Sequence, residues 1–232
     1  MALNYGPIIP GYVDGLTFYI DAVKPQSYPG SGSSWYNMIY GAPNCVLTNG
    51  PTFNNEPPGS NFNFDGSNDY VEILGGTGII PLGNGTIPWT VNVWTLTSTG
   101  VNALGAGSIL SNSSGGPVVS MMGINNGKIV YWNYNGSWVQ NLGVVTVNDG
   151  NWHMLTWVNY DNSTMDMYVD GIFDATVPDS STTNNNPVDR IAGSWAGFYA
   201  GRIATLSIYE GTALTAAQVK QNYDCVKSRF GL

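Results

Sequence analysis

The stretch from Trp152 to Val177, WHMLTWVNYDNSTMDMYVDGIFDATV, restricts the fold more than any other part of the chain. Its opening segment, Trp152 to Tyr160, puts Trp152, Met154 and Val158 on one side of an extended strand and Leu155 and Trp157 on the other, because successive side chains of a strand point to opposite faces. A strand apolar on both faces has to lie inside its sheet and be covered from both sides. Asp161-Asn162-Ser163-Thr164 then reverses the chain and Met165 to Val169 runs back. Asp170-Gly171 carries the signature of a type I′ turn into Ile172 to Val177.

The same period-two alternation, interrupted by Gly, Asn and Pro, recurs along most of the chain and is the pattern of a sandwich. Strands are expected at Leu16 to Ala22, Phe62 to Phe64, Tyr70 to Ile73, Thr90 to Leu96 and Gly116 to Ile124. A hairpin is expected from Lys128 to Tyr134 and Trp138 to Leu142, turning at Asn135-Gly136-Ser137. One helix is signalled, in LTAAQVKQNYDCVKSRFGL: Thr215 and Gln218 fit a capping box, Leu214 and Val219 a hydrophobic staple, and Val219, Tyr223 and Val226 share a face. Lys227 and Arg229 are expected in its last turn, opposite the helix dipole, and the helix is expected to act as a lid on the sandwich. The fold class is all-β: a two-sheet antiparallel jelly-roll sandwich with one short C-terminal helix. Residues 13–232 read as one domain preceded by an arm, residues 1–12, with no repeat or linker between them.

At 232 residues such a domain can bury a sizeable core without a metal or a disulfide, so no cofactor is required. Only 9% of residues are charged and the net charge is −8, so neutral polar groups cover the surface. That suits a protein in a repetitive assembly or outside cells. It argues against nucleic acid, whose affinity rests on Lys and Arg neutralising phosphates. No apolar run approaches the roughly 20 residues of a spanning helix, and MALNYGPIIPGYVDG lacks the basic and apolar regions of a signal peptide. The Asn-X-Ser/Thr sequons at Asn84, Asn112, Asn135 and Asn162 read as by-products of an Asn-rich surface. Cys45 and Cys225 have no metal-ligand spacing; a single staple between the two ends of the chain and two buried thiols both remain open.

His153, the one histidine, falls on the Leu155 and Trp157 face, where a packed or hydrogen-bonded imidazole is expected. Zinc would need further ligands. Glycan cleavage needs two carboxyl groups across one sugar bond, and the three glutamates, Glu56, Glu72 and Glu210, have no acidic neighbour at such spacing. Asp166, Asp170 and Asp174 surround a hairpin and read as turn chemistry and solvated edges. No nucleophile elbow or phosphate-cradling loop is present; GGTGIIPLGNGT lacks the lysine. Binding is better supplied. Trp132, Tyr134 and Trp138 flank one hairpin and are the candidate ligand-binding residues, with Trp35 and Tyr36, and Trp195, Phe198 and Tyr199, as further aromatic groups. Asp65, Asp69 and Glu72 in FNFDGSNDYVEI are oxygen donors near a turn, which makes Asp65 and Asp69 a candidate calcium site.

Taken in order, GLTFYIDAVKPQSYPGSGSSWYN, NFDGSNDYVEI, WTVNVW, GNWHMLTWVNYDNSTMDMYVDG and GRIATLSIYEGTALTAAQVKQNYDCVKSRFGL resemble the laminin-G-like, concanavalin A-like jelly-roll domains, in the version found in virion proteins of tailed bacteriophages. The likeness runs from about Val13 to Leu232. It implies a non-catalytic, lectin-like sandwich made in the host cytoplasm and displayed on a virion, as a capsid decoration or fibre-associated protein. Its implied partners are other virion proteins of the capsid or tail, a cell-surface glycan, and further copies of itself. In related domains calcium sits at loop carboxylates, and Asp65 and Asp69 match the Phe-Asp-Gly turn, while the acidic cluster of the calcium-dependent pentraxins has no counterpart.

Overall fold

The computed structural model describes residues 14–56, 59–75, 87–100, 103–113, 121–160, 164–179 and 188–232. The expected N-terminal arm, the loop GGTGIIPLGNGT beyond Gly75, the first part of the Gly116 to Ile124 strand, the turn residues Asp161 to Ser163, and the sequons at Asn84 and Asn162 lie outside the described residues. Within them, two antiparallel sheets of eight strands each pack face to face, as the alternation predicts. The first sheet contains β1 (Leu16–Asp21), β4 (Thr52–Asn54), β5 (Asn61–Asp65), β7 (Trp89–Leu96), β12 (Trp152–Asn159), β13 (Thr164–Val169), β14 (Ile172–Pro178) and β16 (Ala200–Glu210). The second contains β2 (Ser34–Trp35), β3 (Cys45–Thr48), β6 (Tyr70–Ile73), β8 (Ser108–Ser111), β9 (Met121–Asn125), β10 (Lys128–Tyr134), β11 (Trp138–Thr146) and β15 (Arg190–Ile191).

β12 lies between β7 and β13, inside its sheet. Leu155 and Trp157 join the core between the sheets, whereas Trp152, Met154 and Val158 belong to a separate cluster on the outer face. Two apolar faces therefore mean two cores. Asp170 (φ 55°) and Gly171 (φ 73°) both occupy the left-handed region, as a type I′ turn requires. Glycine serves a second purpose here, since a Cβ on Gly171 would come within 2.9 Å of Tyr223 Cβ on the helix.

The longest strand, β16, has no clean bounds in the sequence. Ile203 faces the inter-sheet core, but so do Leu206 and Ile208, of opposite parity. The pairing with β7 shifts between Ile203 and Thr205, and that irregularity switches which residues face inward. β16 organises its sheet, with β7 along one edge and β5 and β1 sharing the other end to end.

The helix α1 (Ala216–Val226) starts as expected: Thr215 accepts from the Gln218 amide, Gln218 reaches back to the Thr215 amide, and Leu214 and Val219 are buried in one cluster. Its place differs from the expected lid. It lies on the outer face of the first sheet, where Tyr223 and Phe230 stack on Trp94 at ring-centroid distances of 5.5 and 4.4 Å. Its end differs too. The α-helix stops at Val226, Lys227 begins a 3-10 turn, and neither basic residue lies in the last α-helical turn. Lys227 instead pairs with Asp224 at 2.8 Å, and Arg229 folds back to the buried Asp21 on β1 at 2.8 Å. The first described strand and the C-terminus are thereby tied by a largely desolvated ion pair.

The cysteines are unpaired, which excludes the staple; Cys45 is buried, but Cys225 is exposed, so the reading of two buried thiols holds for one of them. Burial pushes the Cys45 thiol pKa up.

Candidate functional site

The outer face of the second sheet has no helix among the described residues, and an aromatic cluster occupies it. Along β10, Ile129 and Tyr131 enter the inter-sheet core while Val130 and Trp132 point outward. Trp132 does not act there as an exposed ring. It is fully buried with Met121 beneath Leu104, Trp138 and Leu142, so the expectation that it stacks on a ligand is corrected: it is the floor of the cluster.

Tyr134 and Trp138, the other two candidates, form a cross-strand pair at the end of the hairpin, edge to face at 5.6 Å, and both are half-buried. The structure adds a partner from a distant segment. Trp195, 43% exposed, lies 6.0 Å from Trp138 with rings tilted by 32°. Trp195 stands at the tip of a tight turn in which the Ser194 amide donates to the Gly197 carbonyl at 2.7 Å, closed below by a bridge between Gly193 and Phe198.

That turn is held firmly. Ser194 Oγ donates to the Gly105 carbonyl at 3.1 Å, and a Cβ on Gly197 would approach Ala106 Cα to 2.9 Å. Glycine is what allows the two segments to touch. A ring already held in place loses little freedom on binding, and this favours contact with a ligand. At the base of the turn, a Cβ on Gly193 would come within 3.1 Å of Phe198, 3.2 Å of Tyr70 and 3.3 Å of Arg190, and the Arg190 guanidinium lies 4.1 Å above the Tyr70 ring.

The other aromatic candidates go elsewhere. Trp35 is core, 4.6 Å from Phe62. Tyr199 is buried and shares a 2.6 Å hydrogen bond with Thr95. Tyr36 is exposed but belongs to neither cluster.

His153 is held on both sides. Its Nδ1 lies 2.8 Å from Asp170 and its Nε2 3.1 Å from Asp149, so both ring nitrogens are engaged. Asp170 also accepts the Met154 amide at 2.9 Å, which ties the hairpin turn to β12. Burial alone would lower the His153 pKa, but the hydrogen bonds and charges of Asp170 and Asp149 outweigh it and raise the value. Asp149, stabilised first by Asn151 and also by His153, is lowered to about 2. The imidazole acts as a hydrogen-bonded clamp.

The remaining hairpin carboxylates are bonded rather than merely solvated. Asp166 accepts from Tyr160 and Thr176, at 3.0 and 2.5 Å. Asp174 accepts the amides of Val144 and Val145, both at 2.9 Å, and so joins the edge strand of one sheet to that of the other. Asp65 accepts the amides of Ser67 and Asn68, and Asp69 accepts that of Asp65. The amide of Ser67 leads the causes that lower the Asp65 pKa, while partial burial raises that of Asp69. One oxygen of each is thus spent on the turn, and no group of three His, Cys, Asp or Glu side chains converges among the described residues. Calcium takes six to eight oxygens. This pair alone does not fit it.

Two layered sheets, with an aromatic cluster on an outer face that carries no helix among the described residues, form a sandwich of lectin-like type. Residues 65–220 match the family model described as the concanavalin A-like lectin/glucanases superfamily, in its laminin-G-like branch, and the chain belongs to that family. No curated protein matches it in sequence. Among solved structures, domain 4 of AbnA, an extracellular arabinanase from Geobacillus stearothermophilus in complex with arabinotriose, is similar with TM-score 0.65 and 15% identity over 90% of this chain and 98% of that one. The binding domain of Paraclostridial Mosquitocidal Protein 1 is similar with TM-score 0.66 and 14% identity, over 90% of this chain and 52% of that one. Trypanosoma rangeli sialidase with the inhibitor DANA gives TM-score 0.62 and 12% identity, over 94% of this chain and 35% of that one. The chain thus spans one whole arabinanase domain but only half or a third of the toxin fragment and the sialidase.

Proposed function

We propose that the protein is a non-catalytic, lectin-like binding module carried on a virus particle, as a capsid decoration or fibre-associated protein, and that it meets glycans through the platform of Tyr134, Trp138 and Trp195. The observation that carries the binding half is the convergence of Trp138 and Trp195, from separate segments, to 6.0 Å on a face that no helix covers among the described residues. Aromatic faces of this kind stack on the apolar faces of sugar rings. Both ring nitrogens of His153 are taken up by Asp170 and Asp149, and Asp166 and Asp174 fasten neighbouring strands, which supports a role without proton transfer.

The virion half rests on the likeness of the quoted segments to phage jelly-roll proteins and on the sparse surface charge, which lowers the desolvation cost of packing against neighbouring subunits. Mass spectrometry of purified particles tests it; particles that lack the chain overturn it. A glycan array with native protein and with Trp138→Ala and Trp195→Ala tests the binding half. Signal lost in both variants is expected. Silence of the native protein, or signal unchanged in both variants, overturns it.

A further inference from the structure

The segments that frame the aromatic platform carry almost no charge. Between Ile73 and Asp149 the sequence contains a single Lys, Arg, Asp, Glu or His, namely Lys128, so all 15 Asp and Glu residues lie outside that span. The span supplies β7 to β11, and the strand order β11-β10-β9-β8 gathers the last four into one half of the second sheet. Contacts around the rings are neutral to match. Leu104, Met121, Val130 and Leu142 pack with Trp132 and Trp138, and the turn of Trp195 rests on Gly105 and Ala106.

The neighbouring charges are spent or remote. Lys128 stands at the opposite end of β10 from Tyr134, about 20 Å away between Cα atoms along extended strand. The Arg190 guanidinium lies over Tyr70 of β6, on the far side of β15 from β8. Asp189 accepts from the amide and hydroxyl of Ser113, at 2.7 and 2.6 Å. On β11, Trp138, Gln140 and Leu142 alternate onto the outer face, and the exposed Gln140 is the cross-strand neighbour of Trp132. The polar group beside the rings is therefore an amide, which accepts from Asn125 at 3.0 Å.

We infer that the platform is selective for neutral glycans and rejects sugars that bear a carboxylate or sulfate. This inference rests on the glycan-binding reading above and names its substrate class. An anionic group brought onto this face loses hydration without gaining a cation. It also approaches a protein of net charge −8, whose field opposes it. A neutral sugar meets neither obstacle, since its apolar face stacks on the rings and its hydroxyls meet uncharged amides.

A glycan array with native protein reads the selectivity directly. The bound members should be neutral; a bound set made mainly of acidic members overturns the inference and leaves the glycan reading standing, whereas silence across the array overturns both. Two pairs then measure the effect: lactose against sialyllactose, and the methyl ester of oligogalacturonate against the free acid. In whichever pair binds, the neutral member should be favoured about tenfold at low salt, and the gap should narrow as salt screens the repulsion. Gln140→Lys should raise acidic relative to neutral binding about tenfold, and Gln140→Glu should lower it further; thermal midpoints check that both variants fold. Equal or stronger binding of the acidic member at low salt, or a ratio indifferent to both variants, overturns neutral selection.

Discussion

The two outer faces of the sandwich have been finished in opposite ways. On the first sheet, α1 and the 3-10 turn seal Trp94, Trp152, Tyr168 and Phe230 into a second core, with Trp152 and Phe230 only 4.6 Å apart. On the second sheet the outer cluster is small: Met121, Val130 and Trp132 are buried, and the rings above them, Tyr134, Trp138 and Trp195, stay partly open. The difference teaches where binding can reside without endangering the fold. Rings under the helix hold the molecule together, and rings above Trp132 can be lost at little structural cost.

The contrast is broken most severely under the helix. Arg229→Ala strands the buried Asp21 carboxylate without its cation, and breaking such a pair costs about 3–5 kcal/mol. Phe230→Ala removes a ring stacked on Trp94 and tilted against Trp152 and should cost about 3–5 kcal/mol as well. Denaturant unfolding checks both, and a loss below about 1 kcal/mol in each would refute the account of a second core.

On the open face the effects should separate from stability. Trp195→Ala should weaken glycan binding about tenfold, roughly 1.4 kcal/mol, while moving the thermal midpoint by no more than about 3 °C. Calorimetry on one preparation reads both numbers. A large fall in midpoint with binding intact would show the ring to be structural.

A smaller effect belongs to the His153 clamp, which fastens the Asp170-Gly171 turn against which the helix packs. Its pKa is raised by folding, so its contribution is fully present below the ordinary histidine value, near 6.5, and is lost as pH climbs through the raised folded value. Asp149 behaves oppositely. Its value is lowered to about 2, so its contribution is present above the ordinary carboxylate range and fades as pH falls toward 2. The thermal midpoint should therefore decline on the alkaline side of neutrality, and His153→Gln should flatten that decline; identical pH profiles for the two proteins would contradict the clamp.

The smallest effect concerns Asp65 and Asp69, whose oxygens already serve the turn. Added calcium should shift the midpoint by less than about 1 °C. A clear rise with calcium that Asp69→Asn abolishes would restore the metal at this turn.

Much of this was legible beforehand, and the failures have physical causes. β6 and β10 appear within the bounds that alternation assigns them, and the capping box of α1 forms as Thr215 and Gln218 require. β16 escaped delimitation because an irregularity swaps its inward parity between Ile203 and Leu206. β2, β4 and β15, of two or three residues each, are too short to show any period. Tyr134 and Trp138 were readable as a pair because a hairpin joins them. Trp195 could be seen as one aromatic among several, but nothing local linked it to Trp138. Trp132 was misjudged for a related reason: alternation tells which face a ring occupies, not whether another segment covers that face.

The sequence by itself determined the layered all-β architecture, the interior strand with two apolar faces, the type I′ turn and the start of the helix, because each depends on side chains and backbone preferences a few residues apart. Tertiary structure alone decided that the helix covers the outside of one sheet, that Arg229 returns to Asp21, and that Trp195 joins the hairpin aromatics on the other. Those arrangements depend on which distant surfaces meet, and contact across long separations leaves no period in the chain to read.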